Sequence, residues 1–172
     1  MAHASSHGAV LALETDRALA DIAQRNLAAY MNVKIRCDTG PTATDEEFDA
    51  VFVNAGATEI LPSWLDRLAE GGRLLVPLTT TRSLHGVGGV QIGLGHMLRV
   101  ERRSGSYPAR FISPVGIFHC VGARTERGEQ ILLNAYRRGD LNAVQSLRRD
   151  AHDEQPTCWL HGSLFCLSRA AH

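Results

Sequence analysis

The sequence predicts an α/β fold with a parallel sheet, and three features predict it. Short apolar, β-branched runs of strand length recur at residues 9–14, 33–37, 48–53 and 73–78. Helix-period stripes separate the first two runs and the last two, and the strands give way to turns or acidic residues at their ends. A strand, a helix and a strand within about 30 residues make one βαβ unit, and the order over this stretch is βαββαβ.

Residues 9–13 form a compact strand ending in Glu14. Thr15 and Asp16 supply a helix cap before a stripe at Leu19, Ile22, Ala23, Leu27 and Tyr30. The next strand, 33–37, ends at Asp38-Thr39-Gly40, and a polar loop leads into strand 48–53, which Asn54-Ala55-Gly56 breaks. Pro62 suits the first turn of a helix carrying Trp64, Leu65 and Leu68. Gly71 and Gly72 are expected to end that helix before strand 73–78. Residues 79–97 hold five glycines but neither G-x-G-x-x-G nor Gly-Lys-Ser/Thr, so they read as a flexible loop and bulged strand. Alternating residues from Met97, and the run 109–120, predict an antiparallel end to the sheet. A helix over 126–138 turns Ile131, Leu132, Ala135 and Tyr136 inward and stops at Gly139. Asp140 is expected to cap a second helix with a stripe at Leu141, Val144 and Leu147, and 157–167 reads as a strand or hairpin bent at Gly162.

The chain has 172 residues, 44% of them apolar, which suits one domain with a sizeable core. Eighteen basic residues balance eighteen acidic ones, so net charge points to neither nucleic acid nor an anionic membrane. No run approaches the roughly 18 apolar residues of a spanning helix. A soluble, cytoplasmic protein is expected, with its four cysteines as reduced thiols. His152, Cys158, His161 and Cys166 are metal-capable, but only Cys158-x-x-His161 approaches zinc-ligand spacing. They are read as core residues, and no metal is expected.

An acidic residue at a C-terminal strand tip is where a doubly wound fold binds a ribose, because a carboxylate accepts from both hydroxyls of a diol. Glu14 stands at such a tip; it reads equally as a solvated charge stabilised by the helix dipole. Asp38 is placed alike, or serves a turn by bonding its own backbone.

Strand 48–53, N-A-G-A-T, P-x-W-L and E-G-G-R-L-L-V-P-L together resemble the later half of S-adenosylmethionine (SAM)-dependent methyltransferases, more narrowly the protein-L-isoaspartate O-methyltransferases. The resemblance spans roughly residues 9–120. It implies a Rossmann-like α/β sandwich with an antiparallel end, a partial methyltransferase-like domain over 1–125, and a C-terminal α/β extension over 126–172 packed on it. It implies methyl transfer from SAM to a carboxylate of a protein or peptide, with Glu14 at the ribose and Asp38 near the adenine. The implied cofactor-binding set is Glu14, Thr15, Asp38, Thr39, Asn54, Ala55 and Gly56, Gly56 allowing close approach to the cofactor. No catalytic side chain is assigned, because a carboxylate is already nucleophilic at pH 7.

The departure from the family lies at the start. MAHASSHG carries neither the first strand nor the glycine-rich loop that would hold the methionine part of SAM, so an N-terminally truncated domain is expected. Weak or absent activity follows, with a homodimer or a completing chain as possible partner. The alternatives are a non-catalytic binding or assembly protein on the same fold and, less well supported, a nicotinamide-dependent oxidoreductase.

Overall fold

A computed structural model describes residues 8–38, 46–83 and 91–172, and chain packing separates Met1–Thr44 from Asp45–His172. In the first unit, β1 (Val10–Glu14) and β2 (Val33–Cys37) pair in parallel, from Val10 opposite Val33 to Glu14 opposite Cys37. Helix α1 (Arg17–Asn26) connects them. It is capped by Asp16, whose carboxylate accepts from the amides of Ala18 (2.7 Å) and Leu19 (3.1 Å), two donors with no partner inside the helix.

The expected stripe of α1 is only partly used. Ala20 is buried and Ala23 and Leu27 half-buried, whereas Leu19 is 53% and Ile22 44% exposed. Two strands about 4.8 Å apart are narrower than a helix roughly 10–12 Å across, so the flank carrying Leu19 and Ile22 overhangs its own sheet.

The second unit carries the main core. β3 (Phe48–Phe52), α2 (Pro62–Asp66) and β4 (Leu68–Ser83) form the expected parallel unit, with Val51 opposite Leu74 and Phe52 opposite Leu75. β5 (Gln91–Glu101) and β6 (Ala109–Ile117) add antiparallel strands in the order β3-β4-β5-β6. Then come α3 (Glu126–Arg138) and a sheet of β7 (Ser146–Arg148), β8 (Cys158–His161) and β9 (Cys166–Ser168), ordered β7-β9-β8. Leu74, Val76 and Leu78 of β4, Leu132 and Ala135 of α3, and Trp159, Leu160 and Leu167 bury themselves in one cluster.

Three expectations are corrected. Helix α2 stops at Asp66, and Gly71 and Gly72 lie inside β4. Phe48 pairs with Leu68 but Ala50 with Arg73, so the glycine pair forms a bulge. Gly71 has φ +78°, and a Cβ on Gly72 would lie 2.8 Å from the Ala69 carbonyl. A helix stop and a bulge use the same freedom of glycine, which is why the sequence suggested the wrong one. Second, of the run 79–97 read as a flexible loop and bulged strand, residues 79–83 and 91–97 are paired strand, Thr79 opposite Gly95 and Ser83 opposite Gln91, while 84–90 lie outside the described residues. Third, residues 140–149 are not a helix: after Gly139 (φ 75°), Asp140 is left-handed (φ 57°), a single 3-10 turn spans Leu141–Ala143, and β7 follows. Val144 and Leu147 still reach the core, Leu147 from β7 and Val144 from the end of the 3-10 turn before it. Among the described residues, no helix is long and apolar enough to cross a membrane.

Candidate functional site

In the first unit, Glu14 and Asp38 end adjacent parallel strands at the same edge. The Asp38 amide donates to the Glu14 carbonyl at 3.0 Å, one step beyond the Glu14–Cys37 pair. One carboxylate oxygen of Glu14, Oε1, accepts from the Asp16 amide (3.0 Å) and the Thr15 hydroxyl (3.4 Å). Its second oxygen accepts no hydrogen bond from the described residues. Asp38 Oδ2 accepts from Arg36 Nη2 at 2.7 Å, so its side chain turns back along β2 to a cation. Thr15 is exposed beside Glu14, whereas Thr39 lies outside the described residues.

In the second unit, residues 53–58 run from the end of β3 along β4. The amides of Val53 and Ala57 donate to Leu75 and Pro77 carbonyls, both at 2.9 Å. Asn54 is exposed, Ala55 half-buried and Gly56 buried. The Gly56 amide donates to Phe118 (2.7 Å), and its carbonyl accepts from the amide of Cys120 (2.9 Å) and from Arg124 Nη1 (2.8 Å). A Cβ there would fall 2.3 Å from Thr79 Oγ1 and 3.2 Å from Ile117. The lack of a side chain at Gly56 therefore admits Thr79 and Ile117, neighbours from this chain itself.

Arg124, which sequence reasoning passed over, binds this loop down. Nη1 donates to Gly56 O and to Thr79 Oγ1 (3.0 Å), while Nη2 donates to Thr81 Oγ1 (3.2 Å) and pairs with Glu129 of α3. Glu129 in turn accepts from the Thr81 amide. The Arg124 side chain is only 14% exposed, and such a cation needs a partner for its charge. Nothing in the surrounding G-A-R-T-E-R pattern separates it from a surface arginine.

A further set of side chains converges at the C-terminal sheet. His152, Cys158, His161 and Cys166 bring one ligand atom each within 4.8 Å of one another. Burial acts to raise the Cys158 thiol, but hydrogen bonds from the Gln155 amide, Cys166 and His152 outweigh it and hold Cys158 below its ordinary value. Burial, reinforced by Cys158, pushes Cys166 up to about 12.

Parallel strand pairs with intervening helices, an antiparallel end and acidic strand tips make this a Rossmann-like α/β protein. The chain belongs to the protein-L-isoaspartate(D-aspartate) O-methyltransferase family, whose family model matches residues 1–87, half of the chain. A protein-L-isoaspartate O-methyltransferase from Thermotoga maritima is 35% identical over 75 residues, covering 41% of this chain and 24% of the relative. One from Syntrophobacter fumaroxidans is 40% identical over 73 residues, covering 40% and 34%. One from a Synechococcus species is 34% identical over 112 residues, covering 62% and 46%. The chain thus spans less than half the length of these curated relatives. A solved protein-L-isoaspartate O-methyltransferase shares the fold with a TM-score of 0.52 at 21% identity, covering 76% of this chain and 38% of that one.

Proposed function

We propose that this chain serves SAM-dependent methyl transfer to a protein or peptide carboxylate, of the isoaspartyl type. The observation that carries the reading is the side-by-side placement of Glu14 and Asp38 at the ends of parallel strands, within a chain of this family. The second oxygen of Glu14 suits the hydroxyls of a ribose, and Asp38 suits an exocyclic amine as hydrogen-bond acceptor. Thr15 and Thr39 flank those two carboxylates in sequence; within the second unit, taken by itself, the loop after β3 presents Asn54 exposed and Ala55 half-buried. Gly56 contributes by letting that loop pass close to Thr79. SAM, when bound, supplies a methyl group activated on sulfonium. An acceptor with a pKa near 4 needs no base, so the protein's part is alignment, worth roughly 7–11 kcal/mol at best. In this reading the reaction belongs to the cytoplasm, a compartment that keeps thiols such as the four free cysteines of this chain reduced.

Titration calorimetry with S-adenosylhomocysteine and with NAD tests it. Binding of the former, weakened about tenfold or more by Glu14→Ala, is the expected result, because a charge-assisted hydrogen bond contributes about 1.5–3 kcal/mol. Preference for NAD, or indifference to Glu14→Ala, would sink the nucleoside assignment. Binding without transfer of labelled methyl to an isoaspartyl peptide would turn the reading toward a non-catalytic binding protein.

A further inference from the structure

We propose that His152, Cys158, His161 and Cys166 form a structural zinc site that staples the loop between β7 and β8 to the C-terminal hairpin. Cys158 Sγ lies 3.7 Å from His152 Nε2 and 3.9 Å from His161 Nδ1. A tetrahedral zinc ion with arms of about 2.0–2.3 Å holds its ligand atoms roughly 3.3–3.8 Å apart. The protein thus already sets these distances close to the edges of such a tetrahedron, and no pair of the four atoms exceeds 4.8 Å.

The backbone explains how residues with poor sequence spacing meet. In a regular strand, positions three apart face opposite sides of the sheet. Cys158 pairs with Ser168, Leu160 with Leu167 and His161 with Cys166, so a bulge falls between Cys158 and Leu160. That bulge returns Cys158 and His161 to one face, directly beside Cys166, while Trp159 and Leu160 enter the core. His152 arrives from the preceding loop, its side chain 9% exposed and its ring edge-on to His161 at 4.9 Å between centroids.

The surroundings suit a metal as well. His152 Nδ1 lies 2.8 Å from the Asp150 carbonyl; donating there, it leaves the Nε2 lone pair toward the cluster, the arrangement that orients ligating histidines. The Gln155 amide donates to Cys158 Sγ at 3.3 Å. Arg148 pairs with Asp150 and so fixes the loop that carries His152. Two sulfur and two nitrogen ligands in a tetrahedron select zinc over magnesium or calcium. With four protein ligands no coordination position is left for a substrate, which makes the site structural.

The test uses the full, untagged chain, purified under reducing conditions without chelator. Elemental analysis is expected to give about one zinc per chain. Zinc-stripped protein titrated with Co²⁺ alone is expected to show thiolate-to-cobalt charge transfer and the intense visible bands of a tetrahedral ion. Cys166→Ser and His152→Gln should each lose the stoichiometric zinc, and chelation should lower the melting temperature. If the variants fail to fold, the cobalt spectrum of the unaltered chain decides. No thiolate band, octahedral cobalt, or zinc retained in a Cys158→Ser/Cys166→Ser chain would overturn the proposal. So would a Cys158–Cys166 disulfide that persists through the reducing purification in place of metal uptake.

Discussion

Strands β1 and β2 at one end of the chain and β8 and β9 at the other both build small sheets, and they are held in opposite ways. Residues of β1 are all half-buried and those of β2 half-buried or exposed. Every residue of β8 and β9 except His161 is buried. The first pair ends in the acidic tips that the proposed function needs. The second carries Trp159, Leu160 and Leu167 into the core and lies beyond residues 1–87, the stretch matched by the family. Groups that meet a ligand stay accessible and so add little to folding, whereas a core is free of that demand. In this chain the acidic tips and the buried C-terminal sheet therefore fall on different segments, while β4, inside the matched stretch, shares the core with that sheet.

The largest expected effect sharpens that contrast. Trp159 is fully buried, donates from Nε1 to the Gly139 carbonyl at 2.6 Å, and meets Phe111 and Tyr136 edge-on at 5.2 and 5.7 Å. Trp159→Ala should cost about 3–5 kcal/mol in denaturant unfolding followed by circular dichroism. A loss below about 1 kcal/mol would show that the C-terminal sheet is not the anchor described here.

Arg124→Met comes next. It leaves the Glu129 carboxylate and the Gly56 carbonyl without their cation, at a cost of about 1–3 kcal/mol, reduced because both side chains keep some solvent. Adding Glu129→Gln should recover part of the loss in a double-mutant cycle. Strict additivity would mean that the pair is not coupled.

A pH effect should follow from Tyr136. Burial raises its pKa well above the ordinary tyrosine value, with the hydrogen bond from the His96 amide acting the other way. Its hydroxyl donates to the Leu78 carbonyl at 2.7 Å. A raised folded pKa contributes stability that is complete below about pH 10, the unfolded value, and declines as pH climbs beyond it. Unfolding free energy measured from pH 9 to 11 should fall in the native chain and fall less in Tyr136→Phe. Equal slopes would exclude Tyr136 as the cause.

Much of this was legible in the sequence, for physical reasons. The strands at 10–14, 33–37 and 48–52 and helix 126–138 follow periodicity and caps, signals local to each element. Glycine misled, because Gly71 and Gly72 fit a helix stop as well as the bulge they form. Residues 140–149 misled because the apolar positions Val144 and Leu147 suit a helix stripe as well as the 3-10 turn and short buried strand that carry them. At the candidate site, the pairing of the Glu14 and Asp38 tips was readable from strand order. The cluster at Cys158 was not, since a single bulge decides which residues share a face, and bulges leave no spacing rule in a sequence.

The smallest expected effect bears on the N-terminal side of the comparison. Leu19 and Ile22 look in sequence like core positions of α1, yet they are 53% and 44% exposed, and Ala20 is the buried residue of the helix. Glutamine matches leucine in helix propensity and is no worse than isoleucine, so Leu19→Gln and Ile22→Gln change apolar surface with little change in backbone preference. Each substitution should shift stability by no more than about 0.5 kcal/mol, as expected for surface positions. The comparable change at Leu160 or Leu167, both buried, should cost about 2–5 kcal/mol. Hydrogen exchange of the peptide covering residues 17–26 reads the local effect directly, because opening of α1 exposes its amides whether or not the rest of the chain unfolds. Unchanged protection in both variants is the expected outcome. A rise in exchange equivalent to more than about 1 kcal/mol would mean that this flank is covered in solution, and the contrast between the two small sheets would then be one of partners instead of burial within the fold.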